Sequence, residues 1–299
     1  EGMSPDEKTE LKLRIGKIPE ILLDNTDRNR TSPFAFTGNK FELRAVGSQA
    51  NCSSSMVVMN TIIAHQLKLF KKDVDALINK GSKKDEAILA VLRNYIIASR
   101  NILFEGNGYG EEWVKQAAKR GLSNIKTTPH ALEKYHDKKV LSLFKNLDIL
   151  SPQELEARTE IYHENYKMKI QIESRVAGDL VLNHIIPAAL SYQNKVVETL
   201  RNLKEVYSAD DFKLLSAPHD LIIREISERV GSVQGLIDQM IEERKKANAL
   251  TPAKEASVAY CEKVLPYLEK IRYHVDKLEL VVEDDLWPLP KYRELLFTK

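Results

Sequence analysis

The stretch that decides the fold opens with Ser151-Pro152-Gln153-Glu154-Leu155 and extends as far as Tyr207. Ser151 offers a hydroxyl to a helix start, Pro152 suits the first helical position, and Glu154 stands three residues on to complete a capping box. From Pro152 the text runs to about Tyr207 without a strong breaker. At 1.5 Å per residue that predicts roughly 80 Å of helix. Pro187 is the exception, and its ring and missing N–H predict a kink there.

Outward from this rod, the C-terminal third reads as a helical hairpin. Ile226, Val230, Val233, Ile237 and Met240 step by four and three, which makes a coiled-coil seam. Beyond the turn at Leu250-Thr251-Pro252 comes a matching seam of Val258, Cys261, Leu265, Leu268, Val275, Leu278 and Val282. Arg272 interrupts it, Ile271 is placed to substitute, and Pro266 predicts a second kink. The tail Leu286-Trp287-Pro288-Leu289-Pro290 cannot be helical; Trp287 and Phe297 are expected to pack back onto the bundle.

Toward the N-terminus, Ser53-Ser54-Ser55 offers caps for a helix bearing Met59, Ile62, Ile63, Gln66, Leu67, Phe70 and Val74. A second helix is expected from Ser82, with Asp85 as capping-box partner and a stripe of Ile88, Leu92, Tyr95 and Ile96. A third, Glu111 to Arg120, ends at Gly121. Thr128-Pro129 predicts another start. From Gly16 to about Ala50 the pattern changes. Pro19, Pro33, Gly38 and Gly47 punctuate short runs, which are strand and turn signals.

Composition agrees. The chain has 299 residues, with 43% hydrophobic and 29% charged, so it is globular rather than a disordered tail. Only 12 glycines and 11 prolines exclude a loop-rich β-sandwich. Lys and Arg number 45 against 43 Asp and Glu, which provides no general field for nucleic acid or an anionic membrane. Cys52 and Cys261 fit neither a disulfide framework nor a zinc site, and a reduced, cytoplasmic setting is expected. Glu1 to Gly16 has no signal-like apolar core, and the most apolar stretch, Leu180 to Tyr192, is too short to span a bilayer.

The densest chemical text is Asp24 to Arg44. In a strand, Lys40, Glu42 and Arg44 share one face while Phe41 and Leu43 take the other. A carboxylate between two cations, with Arg30 near, suits magnesium bound to a phosphorylated ligand. The same alternation also suits a solvated strand face with no ligand. Elsewhere, Gly106-Asn107-Gly108-Tyr109-Gly110 before a helix has the look of a phosphate loop. It follows a helix and lacks the P-loop ending, so a tight turn needing positive φ is the expectation. His130 and His136 are spaced too widely for one metal face. His184 and Cys261 are expected in the core, and Arg244-Lys245-Lys246 as a solvated helix end.

The string Asp27-Arg28-Asn29-Arg30-Thr31-Ser32-Pro33-Phe34-Ala35-Phe36-Thr37-Gly38-Asn39-Lys40-Phe41-Glu42 resembles the type III branch of the glutamine synthetases. So do the glycine cluster with Glu111-Glu112-Trp113 and the tail Asp285-Leu286-Trp287-Pro288-Leu289-Pro290. The resemblance implies ATP-dependent ligation of ammonia to glutamate through γ-glutamyl phosphate. It implies Arg30 and Lys40 on nucleotide phosphates, Glu42 as a ligand of Mg2+ or Mn2+, and Arg44 as the catalytic cation on glutamate and the transferred phosphoryl. Family members work as homo-oligomers, the type III branch as two stacked hexameric rings.

The family's other metal carboxylates lie upstream of this stretch, so the chain is expected to be a carboxy-terminal portion, inactive alone. The expected architecture is mostly α: a long-helix bundle with a kinked helix and a coiled-coil-like hairpin, preceded by a small β-containing remnant of an α/β catalytic domain. Residues 1–126 would close that catalytic domain, and 127–299 would form the type III helical domain. Two other readings stay open: a helical assembly module without a catalytic role, and a free-standing coiled-coil scaffold with an ordered arm.

Overall fold

A computed structural model describes residues 51–104, 107–108 and 110–297, together with the backbone of 34–36 and 41–43. The chain divides into two compact units, one ending at Asn124 and one beginning at Ile125.

In the first unit, β1 (Phe34–Phe36) pairs antiparallel with β2 (Phe41–Leu43), with Ala35 opposite Glu42. Helix α1 (Ser53–Ile78) starts where the serine run predicts. The serines do not cap it, however. The Asn51 side-chain oxygen accepts the Ser53 N–H at 2.8 Å. Helix α2 (Lys84–Ala98) begins two residues later than expected, without a capping box. Its buried pair is Ala87 and Val91, packed on Val74 of α1, with Ile88 and Tyr95 partly buried beside them. Leu92 and Ile96 are exposed, so the contact stripe is turned by one residue from the predicted one. On α1, Phe70 and Val74 join the core, whereas Ile62, Ile63 and Leu67 face outward. Phe70 meets Tyr95 edge to face at 5.9 Å, and the Tyr95 hydroxyl donates to Asp73 at 2.7 Å. Helix α3 (Glu111–Lys119) ends as predicted, with Gly121 at φ 75°.

The second unit is all helix. Short α4 (Thr128–Leu132) runs into a 3-10 turn, Glu133–His136, and then α5 (Lys138–Asn146). Its N-cap is Thr127, one residue before the predicted Thr128, and the Thr127 hydroxyl sits 2.6 Å from His130 Nδ1. The long rod is present. Helix α6 (Pro152–Leu180), a π turn at Val181–Ile185 and α7 (Ile186–Val206) form one 55-residue helical run. Ser151 and Glu154 close the predicted capping box in both directions. At Pro187 the run widens instead of breaking, with the Ile186 N–H reaching back to the Val181 carbonyl. The extra residue gives the proline ring room that a regular turn denies it.

Helix α8 (Ala209–Asn248) packs against α7 and α10 (Leu265–Val281), and α9 (Ala253–Ala259) lies on α6. The first seam holds: Ile226, Val233, Ile237 and Met240 are fully buried. The second is shifted. A second π turn, Tyr260–Val264, precedes Pro266, so Ala256, Tyr260 and Val264 line the core before Ile271, Leu278 and Val282. Val258, Leu265 and Leu268 are only partly buried. Ile271 does stand in for Arg272.

The tail is non-helical as far as Lys291, and Trp287 is buried. Phe297 is 77% exposed, against expectation. Lys291 fixes this tail. Its ammonium donates to the Glu279 carbonyl at 2.9 Å, at the C-terminus of α10, and to Asp284 at 2.6 Å. A cation there complements the helix dipole.

Candidate functional site

Of the four residues expected to carry chemistry, Glu42 is the middle residue of β2. Arg30, Lys40 and Arg44 lie outside the described residues. The extended conformation expected over 40–44 is present where it is described, at Phe41–Leu43, and the hairpin register places Glu42 across from Ala35.

The glycine cluster leads into α3. Gly106 and Tyr109 lie outside the described residues. Gly110 has φ −75°, so positive φ does not explain it. Close approach does: a Cβ at Gly110 would lie 3.3 Å from the Asn107 carbonyl, which accepts the Gly110 N–H at 3.0 Å. This turn borders a cleft of about 390 Å³. One wall is a stack of Phe104 on Trp113, with centroids 3.9 Å apart. The Arg120 guanidinium lies 5.5 Å from the Trp113 ring centre and donates to the Leu103 carbonyl and to Gln116. With these partners the guanidinium clamps the segment at Leu103 to α3.

Sequence reasoning missed the buried polar cluster of the second unit. The buried face of α6 carries Thr159, His163, Ser174 and Gly178. His163 is 2% exposed, and its Nδ1 lies 2.7 Å from the Ser257 hydroxyl of α9. Its Nε2 lies 3.4 Å from Glu133 Oε1, and both atoms are buried without a hydrogen bond. The other oxygen of Glu133 holds Lys254. The Ser257 hydroxyl is also 2.8 Å from the Lys254 carbonyl. Burial pushes the His163 ring below its ordinary titration range, partly opposed by Glu133. No spacing announces this group, because 133, 163, 254 and 257 meet only through the fold.

The remaining histidines differ from expectation in one case. His184 is exposed, not core. His130 pairs with Glu262 at 3.5 Å on the surface. Lys245 and Lys246 pair with Glu242 and Glu243 near the end of α8. Cys261 is buried, and burial together with a hydrogen bond to Cys261 pushes the Tyr166 phenol well up. Among the described residues, no three His, Cys, Asp or Glu side chains are grouped to hold a metal ion. No helix among them is long and apolar enough to cross a membrane.

The family model of the glutamine synthetase C-terminal domain matches residues 87–204. Glutamine synthetase of Bacteroides fragilis (strain YCH46) is 54% identical over 297 residues, which is 99% of this chain. The chain belongs to the glutamine synthetase family. The Type-3 glutamine synthetase of Dictyostelium discoideum is 36% identical over 97% of the chain, and the glutamine synthetase of Butyrivibrio fibrisolvens 31% over 92%. The chain spans only 41%, 39% and 38% of these relatives, in the same order. The resemblance read from Asp27–Glu42, the glycine cluster and the tail is thus shared along nearly the whole chain.

Proposed function

We propose that the chain supplies the last part of a type III glutamine synthetase active site on a helical body, in an enzyme that ligates ammonia to glutamate at the expense of ATP. One observation carries this reading. Similarity to a glutamine synthetase runs through 99% of the chain, and similarity to a Type-3 glutamine synthetase through 97%. The extended segment at Phe41–Leu43, with Glu42 at its centre, is compatible with it.

On this reading Arg30 and Lys40 neutralise nucleotide phosphate oxygens, and Arg44 holds the glutamate and the charge on the transferred phosphoryl group. Glu42 contributes one carboxylate to a Mg2+ or Mn2+ ion. When bound, that ion offsets charge on the phosphoryl oxygens. A hard divalent cation takes about six oxygen ligands, so Glu42 alone cannot hold it. The remaining ligands come from other polypeptide, and the chain by itself makes no glutamine. Residues 1–126 close the catalytic domain and 127–299 form the type III helical domain. The working state is a cytoplasmic homo-oligomer in stacked hexameric rings.

Glutamyl-hydroxamate formation by the purified chain tests the reading together with calorimetry. No turnover and very weak binding of ATP with magnesium are expected. Micromolar ATP binding would overturn the claim that the pocket is incomplete. Substitutions matching Glu42→Gln and Arg44→Ala in the Bacteroides fragilis relative should each lower kcat by about a hundredfold or more. Unchanged kcat in both would remove these residues from the reaction.

A further inference from the structure

We infer that His163, Glu133, Lys254 and Ser257 form an acid-sensitive latch holding the segment Thr128–His136 against α6 and α9. The segment packs on both helices, and its Glu133 carboxylate contacts His163 of α6 and Lys254 of α9. One carboxylate there faces two groups able to carry positive charge. Glu133 Oε2 takes the Lys254 ammonium, and Oε1 faces His163 Nε2 at 3.4 Å. The half-exposed Lys254 side chain already pairs with this carboxylate, which offsets part of its charge. A proton on His163 therefore adds a charge that Glu133 offsets only in part, on a ring that is 2% exposed.

The groups facing the ring differ in sign, and the balance opposes the charge. From the segment come Glu133, which favours the imidazolium, and His136, which opposes it. From α9 come Lys254, which also opposes it, and Ser257, whose hydroxyl contacts Nδ1. Burial opposes it most. The segment is also held by buried Pro129 and by Tyr135, whose ring lies 6.4 Å from that of Tyr162; neither titrates in this range. The His130–Glu262 pair is about half exposed on both sides, so water screens any gain there on acidification.

At neutral pH the ring is neutral. The Ser257 hydroxyl gives its proton to the Lys254 carbonyl at 2.8 Å, so it accepts from Nδ1–H of the neutral ring, and Nε2 stays without a hydrogen bond opposite Glu133 Oε1. The folded titration lies below the unfolded value of about 6.5. The histidine's contribution is therefore whole above that value and is lost as pH falls through the lower, folded one. The cheapest relief for the charged ring is to let water reach it, which means releasing Glu133 and its segment. The latch does not depend on the catalytic reading above, and its test reads no ligase activity.

The experiment uses the full chain. Histidine NMR follows His163 between about pH 8 and 5, and hydrogen exchange, corrected for intrinsic rate, follows residues 128–136. The expected result is a His163 midpoint below about 6.5, with exchange of the segment rising about tenfold across it while the Ile226–Met240 stretch of α8 stays protected. Lys254→Met frees Glu133 for the ring. The midpoint should then rise by about one unit, and the acid opening should vanish. Lys254 is exposed enough for this variant to fold even if His163→Gln does not. A wild-type midpoint at or above 6.5, a Lys254→Met midpoint that does not rise, or a segment whose exchange ignores the titration would each overturn the latch.

Discussion

Replacing Asp148 by glycine should stabilise the second unit, and the structure itself contains the control. Three helix ends share one backbone pattern. At Gly81, N–H groups reach Ile78 and Leu77 carbonyls at 2.9 and 3.1 Å from Gly81 and Ser82. At Gly121 the same pair of bonds measures 3.1 and 2.9 Å, and at Asp148 both measure 3.1 Å. These are Schellman turns, and each needs positive φ at its turning residue. Gly81 and Gly121 have φ of 97° and 75°; Asp148 is at 56° and is the one non-glycine residue with positive φ among those described.

The hydrogen bonds match, so they cancel in the comparison. What remains is the left-handed backbone. An L-residue there costs roughly 1–2 kcal/mol, less for Asp, whose short side chain bonds locally. Glycine removes that cost but adds about 0.5–1 kcal/mol of unfolded-chain entropy. The net expectation is a gain of roughly 0.5 kcal/mol, or about 1–2 °C in the melting of a unit this size. Gly121→Ala should go the other way by about 1 kcal/mol, since a Cβ there meets nothing within 4 Å and only the backbone objects. Differential scanning calorimetry, with hydrogen exchange assigning the transition to each unit, measures both. The reasoning fails if Asp148→Gly lowers stability while Gly121→Ala leaves it unchanged.

Ile237 is fully buried between α8 and its neighbours, so Ile237→Ala should cost about 3 kcal/mol in urea unfolding, whereas Leu280→Ala at a 78% exposed position should stay within about 0.5. Gly231 lies mid-helix with open space where a Cβ would go, so Gly231→Ala should add about 1 kcal/mol, read from the urea midpoint. The Ser151 backbone N–H and hydroxyl hold the Glu154 carboxyl below its usual range. That carboxylate therefore stabilises above the ordinary glutamate value, and the effect is lost as pH falls through the lower, folded one. Ser151→Ala should thus lower the melting temperature at neutral pH and lower it less at about pH 3, the gap being the quantity to measure.

Helix existence was legible where local chemistry acts alone. Ser151 and Glu154 are three residues apart and cap the same turn whatever the rest does, and Gly121 turns the chain by itself. Helix facing was less so. On α6 the outward face carries Ile161, Met168, Ile172 and Val176, all at least half exposed, while Thr159, His163, Ser174 and Gly178 are buried. A hydrophobic stripe therefore points the wrong way there, because tertiary neighbours decide the facing. His184 sits in apolar text and faces outward for the same reason, while His163 sits among charges and is buried. The second seam misled by one residue at Tyr260, since a 3.6-residue count cannot see a widened turn. For the segment proposed to be catalytic, alternation in Lys40–Arg44 gave the extended conformation at Phe41–Leu43. The roles proposed for Arg30, Lys40, Glu42 and Arg44 come from resemblance, not from spacing, which equally allowed a solvated face.

Each widened turn ends two residues before a proline, at Pro187 and again at Pro266. A surplus residue in a helix would otherwise be free to migrate along the axis, since any turn can host it at similar cost. The proline fixes its address, because only the turn just upstream gains from the added room. Each rod is thereby split into two lengths whose angular phases are set independently, offset by about the 100° that one residue subtends. A one-residue deletion upstream of either proline would not shorten the rod harmlessly. It would rotate everything on one side of the deletion out of mesh with its partner helices, so length variation in this architecture belongs in the connections between rods.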